Sequence, residues 1–542
     1  MQAPAAKICT KPEKGADSYI QYNSDTMAAL LYALCVLPTT LATIGVGLSP
    51  NGVTELFGNS FGLPGENATY DYIVVGGGTA GVSTSALGYN GREILYVAGQ
   101  TFGGSSASNY MGYARAAEGT FDEWSKIVDD DLWSWENVYP AYKKSCNFTA
   151  PNYNKIDPSF NIPYDVSAFE STGGPLQVSY GNYLGPYGPY LEESLDKLGI
   201  ERLPGFNSGR LIGYATITTA IDLEEATRSS SETSFLQLAA QHSNIKLYPQ
   251  TLGSRILFDE NKQATGVEVQ TNSSTSKFKY HLNANKEVIV SAVALSSNPD
   301  AVRRWPIRET LQKYNIPIVA DLSGVGQGAR DQPWMALSYK VNVTTGTQVA
   351  AGNAEFSAAR VEEYLTNQTG LLSSIGGGQA LAFEKFFPPP TPSGIQPIHP
   401  GLPRHVPEAR ISPIPPIISP NWLLDEGDQE QAIAALQRIR EIAFNSTIVE
   451  EEYLPGPNVT TRTEILEWLK DNMSLIYHAT SSCKMGISND TTAVVDSRAR
   501  VRGVTGLRVV DASVFPLVPP TFPMATVYMF AEKIAESILG GQ

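Results

Sequence analysis

The sequence predicts an α/β protein in which helices pack on a parallel sheet. Three observations predict it. A β-rich run, Tyr70-Asp-Tyr-Ile-Val-Val75, leads straight into the glycine-rich turn Gly76-Gly-Gly78-Thr79-Ala80-Gly81. A second β-rich run covers Lys286–Ala294, and helical periodicity occupies Ala525–Leu539 near the end of the chain. A short apolar β-branched run flowing into glycines is the pattern of a buried parallel strand, which carries no polar alternation because both faces are covered.

The first strand and its turn make a dinucleotide motif of the G-x-G-x-x-G type. Gly76 allows the tight turn, Gly78 lets the backbone approach a pyrophosphate, and Gly81 lets the following helix lie close to the strand. Val82-Ser-Thr-Ser-Ala-Leu-Gly88 is then expected to open that helix, whose free N–H groups and dipole would hold the phosphates. The acid that normally follows about 20 residues later, to bind the ribose, is missing. In Gly91-Arg-Glu-Ile-Leu-Tyr-Val-Ala-Gly99, Val97 stands at its place if this is the second strand. Alternatively, Leu95–Thr101 is the strand that feeds the next loop, and the second strand with its acid is gone. Further on, Ser229-x-x-Glu232 ahead of an apolar run reads as a capping box opening a helix. Trp124, Trp133 and Trp135 read as core packing rather than a substrate cage.

Composition bounds the class. At about 100–200 residues per domain, 542 residues suggest two to four domains. A hydrophobic share of 42% against 17% charged residues can bury a large core and excludes global disorder. The net charge of −15 argues against nucleic acid and anionic membranes as partners. The four cysteines, Cys9, Cys35, Cys146 and Cys483, show no CxxC spacing, so neither a structural zinc site nor a disulfide scaffold is expected.

Residues 1–48 precede every domain motif. An uncharged stretch runs from Met27 to Leu48 and fits a secretory signal if translation begins at Met27, with Thr40-Leu41-Ala42 as small residues for cleavage. A membrane anchor is the alternative. N-x-S/T occurs at Asn67, Asn147, Asn272, Asn342, Asn367, Asn445, Asn458, Asn472 and Asn489, in keeping with a secreted or secretory-pathway glycoprotein.

Gln100-Thr-Phe-Gly103-Gly104-Ser105-Ser106-Ala-Ser-Asn109-Tyr-Met111 resembles the flavin loop of the glucose-methanol-choline (GMC) oxidoreductases. Phe121-Asp-Glu-Trp124, Arg228-Ser-Ser-Ser-Glu232, Tyr477-His478-Ala-Thr-Ser-Ser-Cys-Lys-Met-Gly486 and Leu507-Arg-Val-Val-Asp511-Ala512-Ser513 extend the likeness over most of residues 68–540. It is nearest to secreted fungal members that work in secondary metabolism. The resemblance implies a Rossmann-like FAD-binding domain formed by 68–150, 225–300 and 479–542. It also implies a discontinuous α+β substrate domain with an antiparallel sheet, formed by 151–224 and 301–478. FAD is the implied cofactor, held by Gly76, Gly78, Thr79, Ala80, Gly81, Gly103, Gly104, Ser105, Ser106, Asn109, Met111, Asp511 and Ala512. The implied partner is a small-molecule alcohol, with molecular oxygen as a candidate electron acceptor and no metal.

The pattern breaks in three places: the short passage from the first turn to the Gly103–Ser106 loop, the segment Ser297–Pro306, and the Pro-rich stretch 387–417. Prolines at that density cannot build central strands. Of five histidines, His478 lies in the tract that resembles the family's catalytic motif, and a neutral imidazole suits removal of a hydroxyl proton. The position where the family places a second His or Asn holds Phe522, which carries no proton. Three readings follow: an FAD-dependent alcohol oxidase or dehydrogenase with His478 as its base, a non-redox cyclase on the same scaffold, and an inactive member.

Overall fold

A computed structural model describes residues 60–76, 82–86, 90, 92–96, 98–99, 101–157, 160–170, 173–242, 244–271, 277–292, 312, 317–375, 380–385 and 422–541. The signal-like stretch from Met27, Gly78–Gly81, the break at 297–306 and the Pro-rich stretch 387–417 lie outside the described residues.

The central sheet is mixed. The first strand, β1 (Ala68–Val75), runs parallel to the long strand Lys279–Val290, with Val75 opposite Val290. That long strand changes its other neighbour along its length. Its start pairs antiparallel with Ala264–Thr271, which pairs with Thr251–Phe258; its end pairs parallel with Leu507–Val509. The strand expected at 70–75 and the one expected over 286–294, which ends at Val290, are therefore adjacent and parallel. Burial along β1 departs from expectation. Only Ile73 is buried and Val74 is 62% exposed, because β1 is an edge of the described sheet, paired on one side only.

Helices pack the core through aromatic side chains. Helix Glu118–Val128 packs on helix Trp135–Ser145, which in turn lies against the final helix, Pro523–Leu539. Trp133 stacks on Phe530 at 5.0 Å, and Trp124 lies 4.8 Å from Phe515. Both indoles are fully buried, which fits the packing role expected of them. Tyr142 and Thr526 share a hydrogen bond of 2.7 Å across the same helix pair.

Two local expectations are corrected. No helix opens at Val82. Val82–Ala86 is a strand, β2, paired antiparallel with β3 (Arg92–Tyr96) from Val82 opposite Tyr96 to Ala86 opposite Arg92. The physical reason lies in the residues. Val-Ser-Thr-Ser is β-branched or backbone-competing and a poor helix former, while Arg-Glu-Ile-Leu-Tyr is a fair strand. Asn90, at φ 54, takes the left-handed conformation that reversals use. The hairpin buries Ile94 and Tyr96 among Leu436, Ile465, Leu469, Met473 and Leu475. Arg92 donates to Lys470 O at 3.1 Å and Met473 O at 2.6 Å, satisfying carbonyls at the C-terminal end of helix Arg462–Asn472.

The second correction concerns Ser229. A helical turn does open at Glu232, but Ser230 and Thr233 supply the reciprocal bonds: Ser230 N donates to Thr233 Oγ1 at 2.9 Å and Thr233 N to Ser230 Oγ at 3.2 Å. Ser229 Oγ instead accepts from Gln177 N. In the substrate part, the antiparallel strands form separate ladders among the described residues: Ser338–Val341 with Val449–Leu454, Ala380–Phe383 with Gly213–Thr216, and Pro333–Trp334 with Ser474–Leu475. Among the described residues no helix is long and apolar enough to cross a membrane. Cys146 and Cys483 are buried free thiols.

Candidate active site

His478 stands in an irregular ladder. Arg330 and Thr480 exchange both backbone bonds, at 3.0 and 2.8 Å, and Pro333 faces Leu475. Between these pairs, two residues on one side, Asp331 and Gln332, oppose four on the other, Ile476 to Ala479. Such a bulge re-aims side chains and is common beside active sites. Tyr477 takes up the excess at φ 64, and Ser481 follows at φ 69. Left-handed non-glycine residues persist only where the surroundings impose them, so the flanks of His478 are held under strain. The displaced amide of His478 donates to Asp331 Oδ1 at 2.9 Å instead of to the ladder. The imidazole Nδ1 lies 2.6 Å from Gln332 Oε1.

Burial sets the charge of the site. It pulls the His478 imidazole down to about 4, so the ring is neutral and can accept a proton at any ordinary pH. Burial likewise pushes the Asp331 carboxyl up to about 7 against the two amides, of His478 and Gln332, that bond to it. Its Oδ2 is buried without a hydrogen-bond partner among the described residues.

The Phe522 ring stands edge-on to the His478 ring, at 5.7 Å and 88°. Phe522 precedes Pro523, the first residue of the final helix, and packs against a cluster of Leu203, Phe206, Leu211 and Ile217. The wall beside the base is therefore apolar. The backbone of Gly112 closes on it, where an added Cβ would lie 3.1 Å from Phe522 Cε2.

The Gly103–Asn109 loop reaches the same helix start. Gly103 and Gly104 have φ of 89 and 52, and Ser105 and Ser106 continue into the single turn Gly104–Ala107. Ser106 Oγ donates to Gly103 O at 2.6 Å. Asn109 Oδ1 accepts from Met111 N and from Arg228 Nη1 at 2.9 and 2.8 Å. Its Nδ2 donates to Met524 Sδ at 3.1 Å. Met111 sits at φ 62, and its carbonyl accepts from Ala220 N. On the other side, Ser481 N donates to Ala512 O, and buried Asp511 caps the turn Ala512–Val514 through Ser513 N at 2.8 Å. Asn109 and His478, 369 positions apart in sequence, thus meet around Phe522 and Met524.

The G-x-G-x-x-G stretch is separate from this convergence. Gly76 has φ 153 and lies so close to the end of the partner strand that a Cβ would meet Ser291 O at 2.0 Å. Beyond it, Gly78, Thr79, Ala80 and Gly81 lie outside the described residues. The next described element is β2, so the helix start that would receive a pyrophosphate is not among the described elements. The flavin end fits better. Asn109 Nδ2 points at a thioether, a weak acceptor, and so is open to a stronger acceptor such as a flavin ring atom. Asp331, Gln332 and Arg228 were not singled out from sequence as site residues. Arg228 lies in a stretch resembling the family, but only the fold shows that it reaches Asn109 in the loop and that Asp331 and Gln332 reach His478.

Comparison with known proteins decides the family. The N-terminal and C-terminal domain models of the GMC oxidoreductases match residues 70–304 and 411–531. The chain belongs to the GMC oxidoreductase family. It is 36% identical to the glucose methanol choline oxidoreductase atC of Aspergillus terreus, over 93% of this chain and 99% of that one. Patulin synthase of Aspergillus clavatus is 32% identical over 94% and 98%, and versicolorin B synthase of Aspergillus parasiticus 34% over 85% and 78%. Among solved structures, an FAD-dependent oxidoreductase from Chaetomium thermophilum superposes with a TM-score of 0.73 at 22% identity, covering 87% of this chain and 94% of that chain. GMC oxidoreductases are FAD-dependent enzymes, and this chain shares their fold: a Rossmann-like sheet domain with a substrate domain. The alignment to the Aspergillus terreus relative spans 614 positions against 542 residues here, so that relative carries segments this GMC chain lacks. A segment lost between the first turn and the loop would leave β2 and β3 to pair with each other.

Proposed function

We propose that this GMC chain oxidises an alcohol of a small aromatic or polyketide-derived metabolite, with His478 as the base. The observation that carries the proposal is a neutral, anchored imidazole set edge-on against an aromatic wall. Flavin, when bound, supplies the hydride acceptor. The protein's part is to bind and orient the substrate, exclude water and remove a proton. His478 takes the hydroxyl proton as the carbinol C–H bond breaks. The Phe522 wall gives an aromatic ring an edge and a face to pack on. The Asn109–Arg228 pair would hold the flavin ring, with Asp511 and Ala512 supporting its tail. Molecular oxygen is the proposed electron acceptor.

A second reading, a non-redox cyclase, draws on one observation. Phe522 leaves His478 without a second ionisable side chain at the site of the usual partner, and one imidazole can serve a dehydrative ring closure by taking the proton of the attacking hydroxyl and returning it to the departing one, which leaves as water. An absorption spectrum separates the two: bound flavin that bleaches with an aromatic alcohol supports oxidation, and turnover without bleaching supports cyclisation.

We propose that the protein is secreted and glycosylated. Of its nine sequon asparagines, seven, Asn67, Asn342, Asn367, Asn445, Asn458, Asn472 and Asn489, are exposed and Asn147 is half-buried, while Asn272 lies outside the described residues. Glycosidase treatment of the secreted protein should lower its mass; unchanged mass would reject the proposal.

A further inference from the structure

We infer that Gln332 is a positioning residue that decides which nitrogen of His478 is the base: its side-chain amide, fixed by the Pro519 carbonyl, holds the proton on Nδ1 and leaves the lone pair on Nε2. This rests on the reading of His478 as base. The reasoning starts at Pro519. Its carbonyl oxygen can only accept, and a Gln332 side-chain nitrogen lies 2.8 Å from it, so that nitrogen is Nε2 donating. The other end of the amide, Oε1, is then the atom 2.6 Å from His478 Nδ1. An amide oxygen has no hydrogen to give, so Nδ1 must carry one. A neutral imidazole has a single N–H, so Nε2 is left unprotonated. Flipping the amide would set two acceptor oxygens against each other at Pro519 and relieves nothing.

The rest of Gln332 is held as firmly. Its own N–H donates to Asp331 Oδ1 at 2.7 Å, its carbonyl accepts from Ile476 N at 3.3 Å, and Pro333 restricts its backbone to extended conformations. Pro519 lies three residues before Phe522. One amide therefore ties together the 330–334 segment, the strained His478 bulge and the approach to the final helix. A free neutral imidazole in water favours the hydrogen on Nε2, so without Gln332 the ring loses its reason to keep Nε2 open.

The test reads the tautomer directly. The chain has five histidines, so histidine-labelled protein gives few ring signals in proton–nitrogen correlation spectra, and His478→Ala assigns the one that matters. Wild type at neutral pH should show His478 with Nδ1 protonated; a ring protonated on Nε2 overturns the inference whatever the activity. In Gln332→Met, similar in length but without hydrogen bonds, the signal should move toward the Nε2–H form. There kcat should fall about tenfold, the worth of one lost hydrogen bond, with KM unchanged. An unmoved tautomer in that variant would also overturn it. Gln332→Glu should keep Nδ1 protonated and raise the acid limb of the pH–rate profile, because a carboxylate on Nδ1 favours the imidazolium; a limb that stays or falls counts against the inference. If Gln332→Met does not fold, the wild-type tautomer and the Gln332→Glu limb decide. Should His478→Ala retain full turnover while the wild-type ring is protonated on Nδ1, the base reading fails and the tautomer assignment stands.

Discussion

At the scale of single residues, the site is an arrangement of burial against hydrogen bonding. Asp331 shows the consequence most plainly. Its folded carboxyl titrates near 7 and an unfolded one near 3.9, so between those values the folded protein holds a proton that the unfolded chain has released. Stability therefore falls as pH rises through that window, and the loss is complete above it. Asp331→Asn keeps the Oδ1 acceptor without the charge. Its melting temperature relative to wild type should rise between pH 4 and 7 and level off above, which thermal unfolding across pH would check. His478 acts oppositely, since its folded value near 4 lies below an unfolded 6.5; its contribution is lost as pH falls through that range. In the Asp331→Asn background, acid destabilisation between pH 6.5 and 4 should therefore persist. Phe522→His tests the wall. If the chain is an oxidase, a second proton carrier beside His478 should raise peroxide release, up to roughly 10²-fold. If it is a cyclase, peroxide stays at zero. Robust release in wild type that falls in the variant would show that Phe522 does not stand at the partner position.

Among elements, what the sequence disclosed depended on whether a segment carries its own signal. The strand at 70–75, the one expected over 286–294 and the final helix were legible, the second with its start placed late and its end placed past Val290, because their patterns are decided by their own residues. So was the meeting of the loop at Asn109 with the tract at His478, through family motifs rather than through periodicity. The helix expected at Val82 was not legible correctly, because the glycine motif points one way and Val-Ser-Thr-Ser points the other; with β3 close by, pairing wins. The Asp331–Gln332 contribution was hidden because it depends on a two-against-four bulge, a property of strand register that no single segment carries. The capping box of helix Arg462–Asn472 gives a plain local test. Glu464 N donates to Thr461 Oγ1 and Thr461 N to the Glu464 carboxylate at 2.8 Å. Thr461→Ala should destabilise by about 1 kcal/mol. Arg92→Ala removes a cation from two carbonyls at the other end of that helix and should cost about 1.5–3 kcal/mol if the hairpin is docked there. A change within error in chemical denaturation would show that β2 and β3 do not pack on this helix.

For the whole molecule, two facts must be held together. The chain carries both domains of a GMC oxidoreductase, with a conjunction of loop, base and aromatic wall at the start of the final helix. It also lacks segments present in the Aspergillus terreus relative, and the first described element after Gly76 is the β2–β3 hairpin. Affinity for the adenosine half of FAD should suffer most, since the helix dipole and ribose acid act there, whereas the ring contacts at Asn109 remain. The most direct measurement is therefore made at matched flavin occupancy, set by reconstitution with excess FAD: the anaerobic rate at which a benzylic alcohol bleaches the bound flavin, in wild type and in His478→Ala. Wild type should bleach, and the variant should bleach roughly 10²–10⁴-fold more slowly with its fold and flavin content unchanged, the size of a lost general base. Equal rates in the two proteins would remove His478 from the chemistry and contradict the proposed mechanism.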